Sequence, residues 1–369
     1  MDQFFFEILQ ILAFSDSSHS TNGVIEIIQK YVDQTTMTST NPFRTKLNFI
    51  NHIRGKLTEY LQVFDGIRED VLKQQVLHLQ KHKQYPQKTP EWYKVRNEMF
   101  TASSDVCKIL NQSKYGSSQD AICKKINGGG TFKGNKFTRF GNKYEQIGIQ
   151  IYESRYNKTV ISFGLLSHPS IAWLGASPDG ITTDGRLIEI KVPFTRELTG
   201  EVLTEYFVQM QTQMEVCDLD VCDFLECKIT EYLNKHHYDQ DVFDETQITF
   251  LDIIPRTTDL NLVKVPQDRR TADGLEKGMI GRVGYYSTGD NNQYFYPPMD
   301  MNSMQQYSWL LDKQEQLKKE HNLAMHIDYW KLETNAFTEV CRDRKWWQMN
   351  QVEAKLADAW SQVQTAKKT

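Results

Sequence analysis

The chain lacks several features that would assign it to common classes of protein. Its 369 residues contain no run approaching about 18 consecutive apolar residues, which argues against a transmembrane helix. The first few residues carry acid where a secretory signal peptide carries base. A phosphate-binding loop ending in Gly-Lys-Ser/Thr and internal repeats are also missing. These absences predict a soluble, intracellular protein with no membrane partner.

Paired cysteines are missing as well. The chain has six cysteines but no Cys-x2-Cys pair, and no histidine lies at a zinc-like spacing from them. Three of them are regularly spaced, but they straddle a predicted helix end and a strand, which argues against a metal cluster. We expect buried free thiols in a reducing compartment at Cys107, Cys123, Cys217, Cys222, Cys227 and Cys341.

A strong excess of basic charge is the third absence. The formal net charge is -4, so contact with nucleic acid would have to rest on a local patch. Residues 124–143 form such a patch, because they contain a glycine triplet and no acid. A basic loop of this kind suits a phosphodiester backbone, and a solvated surface loop is an equal alternative. Its basic residues are Lys124, Lys125, Lys133, Lys136, Arg139 and Lys143.

Hydrophobic periodicity divides the chain into three predicted regions. Residues 1–85 read as a helical accessory region, 86–265 as a core of helices and strands, and 266–369 as a helical extension that packs on the core. The order of core elements predicts a mixed sheet with helices on its faces. The predicted core helices are 138–154 and 199–216, the strands are 159–166, 171–177, 186–192, 220–230 and 247–255, and the helices of the extension are 301–322 and 347–365.

Local signals identify two short helices at the start of the core. Thr89 and Pro90 form an N-cap followed by proline at the first helical position. Trp92 and Arg96 then lie four residues apart, on one face of that helix. Residues 101–105 begin a second helix, whose exposed amides could bind an anion.

Aromatic residues alternate with basic ones in two segments of the extension, 329–332 and 342–347. Such residues can stack on the bases of nucleic acid. Packing of the tryptophans in the core of the protein is the favoured alternative.

A short acidic hairpin is the strongest chemical signal. Residues 175–180 read Gly-Ala-Ser-Pro-Asp-Gly, and Glu189 and Lys191 follow in an alternating strand. Period-2 alternation places Glu189 and Lys191 on one face of that strand, and the Asp-Gly pairs at 179–180 and 184–185 predict the turn. Two carboxylates that meet at one point can hold a hard cation through oxygen. A surface hairpin with solvated charges is the alternative for this pattern taken alone.

Further motifs occur in a fixed order around the hairpin. They are Trp92-x3-Arg96, Thr101-Ala102-Ser103, Phe140-Gly141-x3-Glu145, Ser177-Pro178-Asp179-Gly180, the segment Glu189 to Thr195, and Tyr206-x2-Gln209-x-Gln211. Residues 88–230 thereby resemble the lambda-exonuclease (YqaJ-type) branch of the PD-(D/E)xK nucleases. The resemblance implies an α/β (α+β) restriction-endonuclease-like core with a mixed central sheet flanked by helices, to which this chain adds predicted helical regions at both ends.

The resemblance also implies roles for individual residues. Asp179, Glu189 and the carbonyl of Ile190 would bind Mg²⁺, with Mn²⁺ as the alternative, and Glu145 would complete the acidic site or hold a second ion. Lys191 would contact the attacking water. The pocket for a 5′-terminal phosphate would be formed by Arg96, Ser103, Ser177 and Gln209.

The implied activity is a Mg²⁺-dependent 5′-to-3′ exonuclease that degrades one strand of double-stranded DNA from a 5′-phosphorylated end. It would act in viral recombination, repair or genome processing, in the host cytoplasm or at a viral replication site. DNA ends are the implied partner, with an annealing protein and self-association as further expectations, although the additions at both ends argue against a ring-shaped trimer.

Two other functions are open. One is an endonuclease of DNA or RNA with the same fold, of the kind that shuts off host gene expression. The other is a nuclease fold kept only for DNA binding. The presence of Glu145, Asp179, Glu189 and Lys191 together argues against the second alternative.

Overall fold

The computed structural model describes residues 69–102, 105–128, 134–240, 269–270, 276–277, 279–288 and 291–368. The chain divides into two compact units between Leu72 and Lys73, and the account below concerns the second unit. The predicted helices before residue 69 and the predicted strand at 247–255 lie outside the described residues. The region boundaries at 85 and 265 therefore stay predictions. Within the described ranges, no helix is both long enough and apolar enough to cross a membrane.

The helices of the second unit have the following bounds. They are α1 (Pro90–Asn97), α2 (Asp105–Ile109), α3 (Ser118–Ile126), α4 (Lys136–Tyr156), α5 (Thr204–Cys217), α6 (Ser303–His321), α7 (Arg344–Met349) and α8 (Val352–Ala366). Residues 235–240 are also helical. Each helix predicted in this part of the chain has a counterpart, but α5 begins later than expected, and the helix predicted at 347–365 is divided between α7 and α8.

The strands of the second unit have the following bounds. They are β1 (Phe100–Thr101), β2 (Val160–Ile161), β3 (Leu166–Ser167), β4 (Leu174–Ala176), β5 (Gly180–Thr182), β6 (Leu187–Lys191), β7 (Val221–Glu231), β8 (Arg269–Arg270), β9 (Glu276–Lys277), β10 (Ile280–Thr288), β11 (Asn291–Phe295) and β12 (His326–Cys341).

A mixed seven-stranded sheet forms the centre of the unit, in the order β11-β10-β12-β7-β6-β5-β2. Strands β6 and β7 are parallel and are connected through α5, while the other pairs in this sheet are antiparallel. A smaller sheet has the order β1-β4-β3. The predicted mixed α+β fold with helices against the sheet is therefore confirmed.

Helix α4 packs on one face of the central sheet. Ile188 and Ile190 of β6 join its apolar residues, among them Tyr144 and Ile147, in the main core. A Cβ at Gly148 would lie 2.4 Å from Ile190 Cγ2, so only glycine permits the observed approach of α4 to β6. The opposite side chains of β6 face α5. One face of β6 therefore packs in the core, and the other face contacts α5.

The segment after residue 266 contains strands that the sequence analysis did not identify. Strands β10, β11 and β12 extend the central sheet, and β12 pairs with β7 along the whole length of β7. The prediction of an extension built from helices alone is wrong at these residues. A register shift between Leu332 and Thr334 interrupts the alternation that would have identified β12 as a strand. Trp330 and Trp347 are buried, which favours core packing over base stacking for these two rings.

The turn of the acidic hairpin differs from the prediction. Gly180 does not turn the chain but begins β5, which pairs with β6. The reversal occurs at Asp184 and Gly185, and Gly185 has φ +83°, which glycine adopts without strain. Only the second of the two predicted Asp-Gly turns is therefore present.

The cysteines largely agree with the prediction. All six are free thiols, and four of them are buried. Cys123 and Cys341 are exposed, so their predicted burial is wrong. Cys123 lies on the exposed face of the short helix α3, and Cys341 is the last residue of β12.

Candidate active site

The acidic hairpin brings Asp179 and Glu189 together. Gly180 pairs with Ile188 and Ile181 with Leu187. Continuing that register by one residue places Asp179 opposite Glu189, and Asp179 Oδ2 accepts a 2.7 Å hydrogen bond from the backbone N–H of Ile190. The backbone of β6 therefore fixes the first carboxylate beside the second.

Glu189 is fully buried and is held by three donors. Lys191 Nζ donates to Glu189 Oε1. Gln209 Nε2 donates to the same oxygen over 2.7 Å, and Gln213 Nε2 donates to Oε2 over 2.9 Å. Both carboxylate oxygens are thus oriented from α5. The prediction that Glu189 and Lys191 share one face of β6 is correct.

Gln213 is the residue of this group that the sequence analysis missed. Its spacing of four from Gln209 on α5 was a usable signal, because residues at that spacing lie on one face of a helix.

Lys191 is a half-buried cation among acids. Desolvation by itself would lower its pKa, but the charges of Glu189 and Asp179 raise the pKa of Lys191 above its ordinary value. Its Nζ also lies 5.2 Å from the centroid of the Tyr206 ring. The side chain therefore presents a positive charge at the C-terminal end of β6.

The third predicted acid, Glu145, lies half-buried on α4. Burial, together with the nearby charges of Glu189 and Glu145, raises the pKa of Asp179 well above its ordinary value. Glu189 and Glu145 therefore both lie near enough to Asp179 to disfavour its ionised form.

The residues of the predicted metal site match a divalent cation in their chemistry but do not enclose one in their observed arrangement. In the part of the chain that the structure describes, no three carboxylate, imidazole or thiolate side chains converge closely enough to enclose a metal ion. The chemistry of the donor set nevertheless fits a hard divalent cation, because these are oxygen ligands whose mutual repulsion a cation would relieve.

Two residues of the predicted phosphate pocket meet at Trp92. The guanidinium carbon of Arg96 lies 4.4 Å from the centroid of the Trp92 ring, as the spacing on α1 predicted. The indole Nε1 donates to Ser177 Oγ over 3.0 Å. Burial lowers the pKa of Arg96, an effect opposed by the charge of Asp105. Ser177 is two residues from Asp179, so this group adjoins the acidic site.

The other two predicted pocket residues have different outcomes. Gln209 contacts Glu189, which places its amide at the acidic site in this structure. Ser103 lies outside the described residues. The predicted anion site at the start of the second helix lies partly outside them too, and the Asp105 carboxylate accepts from the N–H of Thr101 over 3.3 Å.

The basic segment 124–143 does not act as one patch. Lys125 Nζ is buried, 3.0 Å from Asp105 Oδ2. Lys143 is buried too, and its Nζ binds Glu231 and Asp328. The prediction is wrong for these two residues, because carboxylates already neutralise them. Lys136 and Arg139 are exposed on the first turn of α4, and Lys133 lies outside the described residues.

These observations define a class: a mixed α+β protein with a carboxylate and lysine site at the end of a central strand. Residues 91–220 match the model of the YqaJ-like viral recombinase domain. An uncharacterized protein of Acanthamoeba polyphaga mimivirus is 32% identical to this chain in an alignment of 280 residues that covers 69% of the chain. The chain spans 48% of the length of that relative.

Solved structures of exonucleases are also similar to this chain. An alkaline exonuclease (LHK-Exo) from Laribacter hongkongensis has 23% identity and a TM-score of 0.41, with 76% of this chain and 97% of that one covered. The same protein in complex with dAMP has 21% identity and a TM-score of 0.42 over the same shares. A phage-related exonuclease of Haemophilus somnus has 14% identity and a TM-score of 0.34, covering 72% and 91%.

Proposed function

We propose that this protein is a metal-dependent 5′-to-3′ exonuclease that degrades one strand of double-stranded DNA from a 5′-phosphorylated end. The observation that carries the proposal is the placement of Asp179 opposite Glu189, with Lys191 on the same strand, inside a matched YqaJ-like viral recombinase domain.

Asp179 and Glu189, with the Ile190 carbonyl and Glu145, would hold Mg²⁺ or Mn²⁺. When bound, such a cation polarises the scissile phosphate and activates water for hydrolysis. The Lys191 ammonium would orient the attacking water and balance the negative charge that develops on the phosphate. Gln209 and Gln213 donate hydrogen bonds to the Glu189 carboxylate and so fix the positions of its two oxygens.

End recognition is assigned to the group around Trp92. A guanidinium and a hydroxyl are suited to a terminal phosphate, which has more negative charge and more acceptor oxygens than an internal one. Stacking on Trp92 restricts Arg96, and the indole hydrogen bond restricts Ser177. Gln209 and Ser103 remain predicted members of this pocket. Because Ser177 adjoins Asp179, a captured 5′ end would lie near the acids.

The proposed setting is viral DNA recombination, repair or genome processing, with DNA ends as the substrate. A single-strand annealing protein and self-association are the further partners that we predict. The host cytoplasm or a viral replication site is the predicted location.

The decisive experiment compares substrates. Linear duplex DNA with a 5′ phosphate, the same duplex with a 5′ hydroxyl, closed circular DNA and RNA are incubated with the protein and Mg²⁺, and a chelator serves as the control. We expect fastest loss of the 5′-phosphorylated strand and no cleavage in chelator. Rapid cutting of the circle or of RNA would instead support the endonuclease alternative. Binding of DNA without cleavage of any substrate would support the DNA-binding alternative.

A further inference from the structure

Two glutamine side chains of α5 approach the same carboxylate from positions four residues apart. Gln209 donates to Glu189 Oε1 and Gln213 donates to Oε2. Their surroundings differ, because Gln209 is half-exposed and Gln213 is only 1% exposed. Gln209 can therefore meet substrate, whereas any effect of Gln213 must pass through Glu189.

The other end of the Gln213 amide is unusual. Gln213 Oε1 is among the buried side-chain oxygen and nitrogen atoms that have no hydrogen-bond partner in the described part of the chain. A buried acceptor without a partner destabilises a fold. An apolar side chain of similar size would remove this cost, but it would leave the buried Glu189 Oε2 without its donor. The use of the amide lies in its N–H, which contacts Glu189.

The carboxylate also fixes which way the amide points. A reversed amide would place Gln213 Oε1 against Glu189 Oε2, and two oxygen acceptors repel each other. The orientation with the NH₂ group toward Glu189 is therefore the one that the charge favours. Glu189 and Gln213 hold each other in a single arrangement.

We propose that Gln213 is a positioning residue that holds Glu189 ready for the divalent cation. Lys191 and Gln209 both act on Oε1, so Gln213 is the side chain that restrains Oε2. Without it, the carboxylate can rotate about its terminal bond and lose its fixed direction. Partners that orient metal-binding carboxylates typically change metal affinity or activity by about 10–100-fold when they are replaced. The inference rests on the proposed function, since it assumes that Glu189 binds a cation.

Gln211 provides a matched control on the same helix. It is also a glutamine with 1% exposure. Its Nε2 donates to the carbonyl of Cys341 over 2.8 Å, and its Oε1 accepts from the N–H of Asp343 over 2.7 Å. Gln211 thus connects α5 to the end of β12 and does not contact Glu189. Loss of this amide should affect stability and leave the acidic site in place.

The test compares Gln213→Met and Gln211→Met with the unchanged protein. Three quantities are measured: binding of Mn²⁺ without DNA by calorimetry, kcat and KM on 5′-phosphorylated duplex, and the thermal midpoint of unfolding. For Gln213→Met we expect about 10–100-fold weaker Mn²⁺ binding and a lower kcat, with KM for DNA little changed. The thermal midpoint should also fall, because the buried Glu189 Oε2 loses its donor. For Gln211→Met we expect a lower thermal midpoint with unchanged Mn²⁺ affinity. Gln213→Leu is the second variant if Gln213→Met does not fold.

The outcomes separate the inference from the proposed function. If the unchanged protein neither binds Mn²⁺ nor cleaves DNA, the proposed function fails first. If it does both and a folded Gln213 variant keeps the same Mn²⁺ affinity and kcat, Gln213 is not a positioning residue. An equal loss of Mn²⁺ affinity in the Gln211 and Gln213 variants would also overturn the inference, because both effects would then reflect general destabilisation of α5.

Discussion

The indole Nε1 of Trp92 donates a 3.0 Å hydrogen bond to the hydroxyl oxygen of Ser177. This bond joins α1 to the residue two positions before Asp179, and the same ring carries the guanidinium of Arg96 on its face. Because the indole can only donate, it makes Ser177 Oγ an acceptor and directs the hydroxyl proton elsewhere. Trp92 therefore arranges both residues that we propose as phosphate ligands.

Replacing Trp92 with phenylalanine tests this arrangement, because the variant keeps an aromatic ring for Arg96 and loses the indole N–H. One hydrogen bond contributes about 1 kcal/mol, which corresponds to roughly fivefold in a rate ratio. We expect the preference for 5′-phosphate over 5′-hydroxyl ends to fall by about that factor. The measurement is the ratio of kcat/KM for the two ends, which cancels general effects on the enzyme. Tyr115→Phe, at an exposed ring, is the control. An unchanged ratio for Trp92→Phe would contradict the assignment.

Lys191→Ala should remove cleavage while DNA binding persists. The variant takes away the ammonium that is proposed to face the reacting phosphate, and loss of one such electrostatic group typically costs about 100-fold or more in kcat. Cleavage is measured with Mg²⁺, and DNA affinity is measured in chelator. Lys158→Ala is the matched control, because Lys158 pairs with Asp184 at the opposite end of the same hairpin. Full activity in Lys191→Ala would refute the proposed site.

The parts of the site that the sequence predicted are those that depend on local patterns. Alternation placed Glu189 and Lys191 on one face, and the cap at Thr89 set the face of α1 that carries Trp92 and Arg96. These patterns operate within a few residues along the chain. Such patterns can be identified in the sequence because they do not depend on contacts with residues far along the chain.

The missed features depend on contacts between distant segments. Strand β12 exists because it pairs with β7, about a hundred residues earlier in the chain. The rotation of α5 that turns Gln213 inward depends on the packing of α5 against the sheet. In the sequence, Lys125 is one of several basic residues in the segment 124–143, and only the fold places Asp105 beside it. No local pattern contains this information.

The two exposed bases at the start of α4 should account for salt-dependent DNA binding that the buried lysines do not provide. Each phosphate contact that is lost lowers the slope of log affinity against log salt by about 1. We therefore expect a smaller slope for Lys136→Gln and for Arg139→Gln. In Lys143→Gln the slope should stay the same while stability falls, since Glu231 and Asp328 lose their partner. DNA affinity measured over a series of salt concentrations distinguishes these outcomes, and a reduced slope in Lys143→Gln alone would reverse the assignment.

The pair of Asp105 and Lys125 should control acid stability. Burial acts to raise the pKa of Asp105, but the charges of Lys125 and Lys124 outweigh it, and the pKa of Asp105 lies below its ordinary value. A depressed carboxyl pKa contributes stability above the unfolded value of about 3.9, and this stability is lost as pH falls through the folded pKa.

Asp105→Asn leaves Lys125 buried without a counter-charge, which should cost about 3–5 kcal/mol at neutral pH. As pH falls below about 4, the unchanged protein loses the same interaction, so the difference between the two should narrow. The free energy of unfolding in urea at neutral and acidic pH measures this difference. The double variant Asp105→Leu with Lys125→Met removes both charges and should recover much of the lost stability. A difference that stays constant across pH would mean that shape, and not charge, accounts for the role of Asp105.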